Sequence, residues 1–504
     1  MKKLLQLIAT SLLVSAVSLP LQAETAKPPV LSKAAKVVSE SSTYNLAKKT
    51  VSESSIYSLV KTLLSEDTLR FTLQHRFNGG DPLPIETIEI PLKNIKENPL
   101  VFFRTIKENF SKHVEKLEKP VQLDTELEFL LSAEATKLLG KLPTLSIKST
   151  KYNEKSAKSD FVFPAFQREG LIDWKGLTAQ LTLNGNLKNL TVDFAGLLLE
   201  DQKLSASLSL GKTSFSGEFN DKKTPTKMDL SLPTLQVRKK AYLLNLHDLS
   251  AKLNTSQSSK EVKLGHLNLK VGHLDVSKDK SKYSLDGLAV TANGEEAQGG
   301  VINYTLQTQI DTMTLKDISG VSVVENIVFR NLDEEALSEL QTSARQNRSQ
   351  IKNPKTIVVT MLGKLKEVLP KLSAKSPELA LTELTVKTPN GNLVQGNASV
   401  SLNGEALRSA LQAQAEFSFS KSLLKRILTK ITLKTMLKDF ANEQLAEKDL
   451  AFLKQQAEAA SEQQISMFVG LKWLVDTGDG NYKFVAAFKD NKLNVNGVEM
   501  PLPK

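Results

Sequence analysis

Residues 177–194 read LTAQLTLNGNLKNLTVDF, and the architecture follows from their spacing. Leu177, Ala179, Leu181 and Leu183 alternate with polar residues, the period of a strand with one apolar face. Asn184-Gly185 comes next, a pair suited to the positive φ angles of a type I′ hairpin turn. Leu190, Val192 and Phe194 then resume the alternation. The same period recurs at 69–77, 85–92, 203–219, 227–238, 262–276 and 301–315. Asn-Gly occurs six times, at 78–79, 184–185, 293–294, 390–391, 403–404 and 496–497. These signals predict an α+β protein, mainly β: a long antiparallel curved sheet with Asn-Gly hairpins, flanked by several helices.

Helical spacing appears outside the strands. VVSESSTYNLAKK (37–49) is succeeded by TVSESSIYSLVKT (50–62) and, more weakly, by LLSEDTLRFTLQH (63–75). This step places Tyr44, Leu46, Tyr57 and Leu59 on one stripe of a helix over 35–64. Such a helix packs on the sheet or lies on a membrane surface, and packing is the simpler reading. A second helix is expected at 95–117, with Pro99 in its first turns. In NLDEEALSEL, Asn331 is the expected N-cap and Glu334 stands at capping-box spacing, with Leu337 and Leu340 on the apolar side. Further helices are expected at 355–368 and 421–465. The resulting order is a polar leader and helix (24–65), a β-rich body (66–330), a helical segment (331–375), a β-hairpin segment (376–420), a helical segment (421–467) and C-terminal β-hairpins (468–504).

Residues 1–23 have the form of an export signal. Lys2 and Lys3 form a basic head, an uncharged run covers 4–23, and Pro20 and Ala23 close it. Cleavage is expected between Ala23 and Glu24. The competing reading is an uncleaved anchor, since twenty uncharged residues just span a bilayer. Gln6, Thr10, Ser11, Ser15, Ser18 and Gln22 dilute the run and favour cleavage. The expected location is a bacterial periplasm, with inner-membrane anchorage as the alternative.

The chain has 504 residues and no cysteine, so disulfides, zinc–thiolate sites and a cysteine nucleophile are excluded. Its net charge of +11 falls by two if Lys2 and Lys3 are removed. The 66 bases are mixed with 55 acids along the whole chain, and no basic patch interleaved with aromatics marks a nucleic-acid surface. Solubility, or attraction to anionic lipid head groups, is the remaining use of the excess.

No catalytic, cofactor-binding or metal site is assigned. Asp476-Thr477-Gly478 resembles an aspartic-protease signature, but too little chain remains after it to complete a lobe and no second copy exists. Gly211-Lys212-Thr213 lacks the earlier glycine of a phosphate-binding loop, because position 206 is Ala. His266 and His273 are separated by an odd number of residues and point to opposite faces of a strand, a poor arrangement for a shared metal.

The C-terminal pattern carries a resemblance. Gly478, Gly480, Tyr482, Asp490, Leu493, Val495, Asn496 and Gly497 form a glycine-rich turn, a strand, a second turn and a closing Leu-x-Val-Asn-Gly. RNLDEEALSEL (330–340) and LTVKTPNGN (384–392) stand upstream in the matching order. This arrangement resembles the YdgA-like family of bacterial envelope proteins of unknown function. The N-terminus departs from it, with Pro20 and Ala23 where relatives keep an aromatic- and glycine-rich anchor. The resemblance implies an envelope protein and supplies no catalytic residues.

Three functions are weighed. The first is a non-enzymatic periplasmic protein that binds lipid or another apolar ligand on an extended sheet face. The second is a homodimeric envelope scaffold joined through strand edges, without a small-molecule ligand. The third, a hydrolase, requires a polar cleft with converging carboxylates.

Overall fold

A computed structural model describes residues 68–500, except 92, 95–100, 102–104, 107, 110–117, 154, 202–204, 221–224, 279–280, 316–317, 351–353, 403–410 and 438–446. The expected signal (1–23) and the leader and helix (24–65) lie outside the described residues. Of the helix expected at 95–117, residues 101, 105–106 and 108–109 are described, and all are helical. Among the described residues, strands take up 63% and helices 20%, so the mainly β character read from the alternation is the observed one. The chain divides into two compact units, one holding 68–256 and 266–286, the other 257–265 and 287–500.

In the first unit the strands are β1 (Thr68–Phe77), β2 (Glu86–Pro91), β3 (Val121–Leu130), β4 (Leu145–Asn153), β5 (Ser156–Phe163), β6 (Phe166–Arg168), β7 (Ile172–Trp174), β8 (Leu177–Asn184), β9 (Leu187–Phe194), β10 (Leu197–Asp201), β11 (Ala206–Leu210), β12 (Thr213–Phe219), β13 (Pro225–Lys239) and β14 (Tyr242–Gln257). A short helix, α1 (Ala133–Leu139), comes after β3. Antiparallel pairing runs β2-β1-β3-β4-β5-β8-β9-β12-β13-β14. The far half of β13 instead pairs β11, which continues through β10 and β7 to β6.

The buried core of this unit sits over its first strands. Phe71 and Leu73 of β1, Ile90 of β2 and Leu127 of β3 form one cluster, with Val101 and Ile106 packed on it. His75 is enclosed beside them, one ring nitrogen 2.8 Å from Thr125 Oγ1 and the other 2.8 Å from Asn109 Oδ1. Both ring nitrogens therefore have partners, the condition for burying an imidazole without a large desolvation cost.

Two long strands, β15 (Lys263–Lys278) and β16 (Ser281–Ala297), each contribute residues to both units. The second unit continues with β17 (Val301–Leu315), β18 (Ile318–Asp333), α2 (Glu334–Gln350), α3 (Pro354–Ser373), β19 (Glu378–Thr388), β20 (Gly391–Leu402) and β21 (Leu411–Ser420). The helices α4 (Lys421–Met436) and α5 (Glu447–Gly470) precede β22 (Val475–Asp476), β23 (Asn481–Lys489), β24 (Lys492–Val495) and β25 (Val498–Met500). Pairing runs β17-β18-β19-β20-β21-β23-β24-β25, all antiparallel. Val262, Leu264, Ile302, Tyr304, Phe329, Leu332 and Leu337 make its main core. Ala336, Leu340, Val368 and Leu372 join α2 to α3.

The α2 cap differs from the expected one. Asn331 lies within β18 at φ 55, and the residue that caps the helix is Asp333, whose Oδ1 accepts from Ala336 N at 2.8 Å. Glu334, which is buried, reaches residues 259–260 instead of back to the cap. Its carboxylate accepts from Lys260 N at 2.7 Å and from Ser259 Oγ at 3.0 Å.

The Asn-Gly pairs also divide. Asn78-Gly79 and Asn496-Gly497 occupy turns with positive φ at both residues, as expected. At the second site Asn184 still pairs with Leu187, which makes Gly185-Asn186 the turn. Thr388 pairs with Gly391, so the turn there is Pro389-Asn390. Asn293-Gly294 is no turn at all. It lies inside β16, and a Cβ on Gly294 would fall 2.5 Å from the Tyr304 ring. The pair at 403–404 lies outside the described residues. Asp490-Asn491, with φ 51 and 59, forms a positive-φ turn without a glycine.

A candidate apolar binding face

Strand register converts the alternation of single strands into surfaces. In the first unit one lateral row reads His75, Thr125, Ile147, Phe161, Ala179, Val192, Phe215, Leu230, Ala251. The next residue on each strand belongs to the other face, and that row reads Gln74, Glu126, Ser146, Val162, Thr178, Asp193, Ser214, Ser231, Ser250. One face is thus apolar from β4 to β14 and the opposite face almost entirely polar.

The apolar row is not buried evenly. His75, Thr125 and Ile147 are each at most 4% exposed. From Phe161 to Ala251 every member is half-buried. A parallel row through Leu181, Leu190, Met228 and Leu253 is half-buried likewise, with the buried Gly217 between Leu190 and Met228. Six strands, β5, β8, β9, β12, β13 and β14, therefore present contiguous apolar side chains with accessible surface. At about 4.8 Å between strands, they span roughly 24 Å.

Aromatic rings border this face. Trp174 of β7 lies 4.8 Å from Phe194 and 5.4 Å from Phe163, ring centre to centre, and Phe166 stacks on it at 6.3 Å. The Trp174 indole N–H is buried without an acceptor. The leucine spacing slips by one residue at Pro233 on β13 and at Asp248 on β14, where φ is 54, and resumes at Leu235 and Leu246.

Beside that slip lies a polar cluster. His273 Nε2 is 2.9 Å from Asp275 Oδ2, and Nδ1 contacts Asp286 Oδ1. The hydrogen bonds to Asp275 and then Asp286 raise the His273 pKa above its ordinary value. His247 stands 6.0 Å away, ring to ring. Among the described residues, no group of three or more His, Asp or Glu side chains could hold a metal ion.

Comparison with known proteins covers the second unit and part of the first. Residues 217–503 match DUF945, described as a bacterial protein of unknown function. The chain belongs to this family. No curated protein and no solved structure matches it.

Elsewhere in this DUF945 protein, the motifs singled out in the sequence have local roles. Asp476 accepts from Gly478 N at 2.9 Å and pairs with Lys421 Nζ at 2.6 Å, which holds its carboxyl below the usual range. This is turn chemistry. Gly211-Lys212 joins β11 to β12, and Gly211 N donates to Thr234 O at 2.9 Å. His266 is half-buried on β15, while the partners of His273 are carboxylates. No single-strand pattern identifies the apolar face, because its extent depends on register between strands. The pairing of His273 with Asp286 is hidden for the same reason.

Proposed function

We propose that this protein is a non-enzymatic bacterial envelope protein that holds lipid acyl chains, or another apolar ligand, against the half-buried face of β5–β14. The observation that carries the reading is the lateral row from Phe161 to Ala251, apolar on six strands and half-buried throughout. Contiguous apolar surface of this extent marks binding sites in soluble proteins.

Magnitudes restrict the ligand. Each methylene removed from water contributes about 0.8 kcal/mol. Association costs about 4–15 kcal/mol in lost freedom. A chain of about ten methylenes barely offsets that cost, so long or paired acyl chains are favoured over short ones. The face spans roughly 24 Å, more than the ~15 Å that one leaflet's hydrocarbon occupies, so a whole tail fits along it.

Export to the periplasm through residues 1–23, cleaved or retained as an anchor, belongs to the same proposal, as does kinship with YdgA-like envelope proteins. The basic head and uncharged run at the N-terminus and the ordered C-terminal motifs support both.

The test is native mass spectrometry of the purified protein, with organic extraction of what co-purifies. A phospholipid or acyl species near one equivalent, lost in Val192→Glu, supports the reading. A ligand-free homodimer would overturn it in favour of the homodimeric scaffold joined through strand edges.

A further inference from the structure

The second unit carries a surface of a different kind. Helix α4 reads KSLLKRILTKITLKTM and contains Lys421, Lys425, Arg426, Lys430 and Lys434 with no acidic residue. It packs along α5 and buries none of its residues fully. One side is held in place: Lys421 pairs with Asp476 at 2.6 Å, and Lys425 pairs with Glu462 of α5. The stripe formed by 423, 427, 430, 431 and 434 recurs at helical spacing on the other side. There Ile427 is 43% exposed and Ile431 57%, and Arg426, Lys430 and Lys434 are exposed beside them.

β-Branched apolar residues in water, flanked by cations on one helix face, are poorly explained by solubility. Among the described residues, Ile427 and Ile431 belong to no buried core cluster. They suit an interface that is apolar a few ångströms deep and negatively charged at its rim, the profile of an anionic phospholipid surface. We infer that the outward face of α4 docks this protein on an anionic membrane surface, with Ile427 and Ile431 inserted at the acyl boundary and Lys430 and Lys434 among the head-group phosphates. Charge complementarity selects this occupant over a neutral partner. The α4 surface belongs to the second unit and the ligand face to the first, so the two readings stand or fall separately.

The test is co-sedimentation of the full chain with vesicles of phosphatidylglycerol and phosphatidylethanolamine, compared with phosphatidylcholine alone. Partitioning into the anionic vesicles is expected to exceed that into neutral ones and to fall at high salt. Lys430→Ala with Lys434→Ala should weaken it about 25-fold, at roughly fivefold per charge. Ile427→Ser with Ile431→Ser should weaken it on both vesicle types. All four positions are exposed, and circular dichroism of each variant checks the fold. Partitioning equal to that of the parent chain in both double variants would overturn the inference and shift membrane attachment to another segment. Retention of the parent on DNA without partitioning into vesicles would overturn it too, in favour of a polyanion site.

Discussion

Ile147 and Phe161 are direct neighbours in one lateral row, yet they mark the border between two regions. On one side, β1–β3 bury Phe71, Leu73 and Leu127 completely. On the other, β5–β14 leave every row member half-buried. The alternation of residue types is the same in both. The difference lies in the segments that connect the strands. Between β2 and β3 comes a helical segment whose Val101 and Ile106 lie on the core cluster. Between β5 and β14 the described connections are short turns and small strands. A strand pattern therefore sets which side is apolar, while intervening segments set whether that side is core or surface.

This contrast has measurable consequences. The largest is expected for Leu127→Ala, which opens a cavity in the covered region and should cost about 2–5 kcal/mol in denaturant unfolding. A cost equal to that of a half-buried position would erase the distinction. Thr125→Val comes next. It removes a hydrogen-bond partner of buried His75 and should cost about 1–3 kcal/mol, visible as a lower unfolding midpoint. Val192→Ala lies on the accessible region. Full burial of valine is worth about 1.5–3 kcal/mol, so half-burial predicts a loss of about 1 kcal/mol. The same substitution should reduce retention of an acyl ligand, which Leu127→Ala should leave intact in the folded fraction.

The smallest effect concerns pH. His273 has a raised folded pKa, so its pairing with Asp275 and Asp286 stabilises fully below the ordinary imidazole value of 6.5. That contribution is lost as pH rises through the folded pKa. Stability should therefore decline slightly as pH rises past 6.5 and through the raised folded pKa, and His273→Gln should flatten that part of the profile. An unchanged slope in the variant would show that other groups set it.

Much of the fold was legible in the sequence because period-2 spacing is local. Leu177 to Leu183 identify a strand without reference to anything else. Turn chemistry was half legible: Asn496-Gly497 turns the chain, whereas Asn293-Gly294 is held extended and Gly294 makes room for the Tyr304 ring. The α2 cap was misplaced because Asn331 and Asp333 both suit the role, and only β18's extension to Asp333 chooses between them. The candidate face was least legible. Its breadth is a property of register across strands, and its half-burial depends on which neighbours lie over it.

The order of pairing also has a consequence for how the chain is assembled. In the second unit's sheet β19–β20, β23–β24 and β24–β25 are joined by turns, but two other pairs are joined through helices. Arg330 pairs with Glu378 across α2 and α3, and Ser420 pairs with Asn481 across α4 and α5. Closing the second of these loops rather than a two-residue turn costs about 3 kcal/mol more in chain entropy, at about 0.6 kcal/mol per doubling of length. The neck of that loop is tied by Lys421 N to Gly480 O at 2.9 Å and by Lys421 Nζ to Asp476. Sheet growth is thus punctuated: strands join cheaply within each run of hairpins, and the entropic toll is concentrated where a helical pair must be gathered before the next strand can dock.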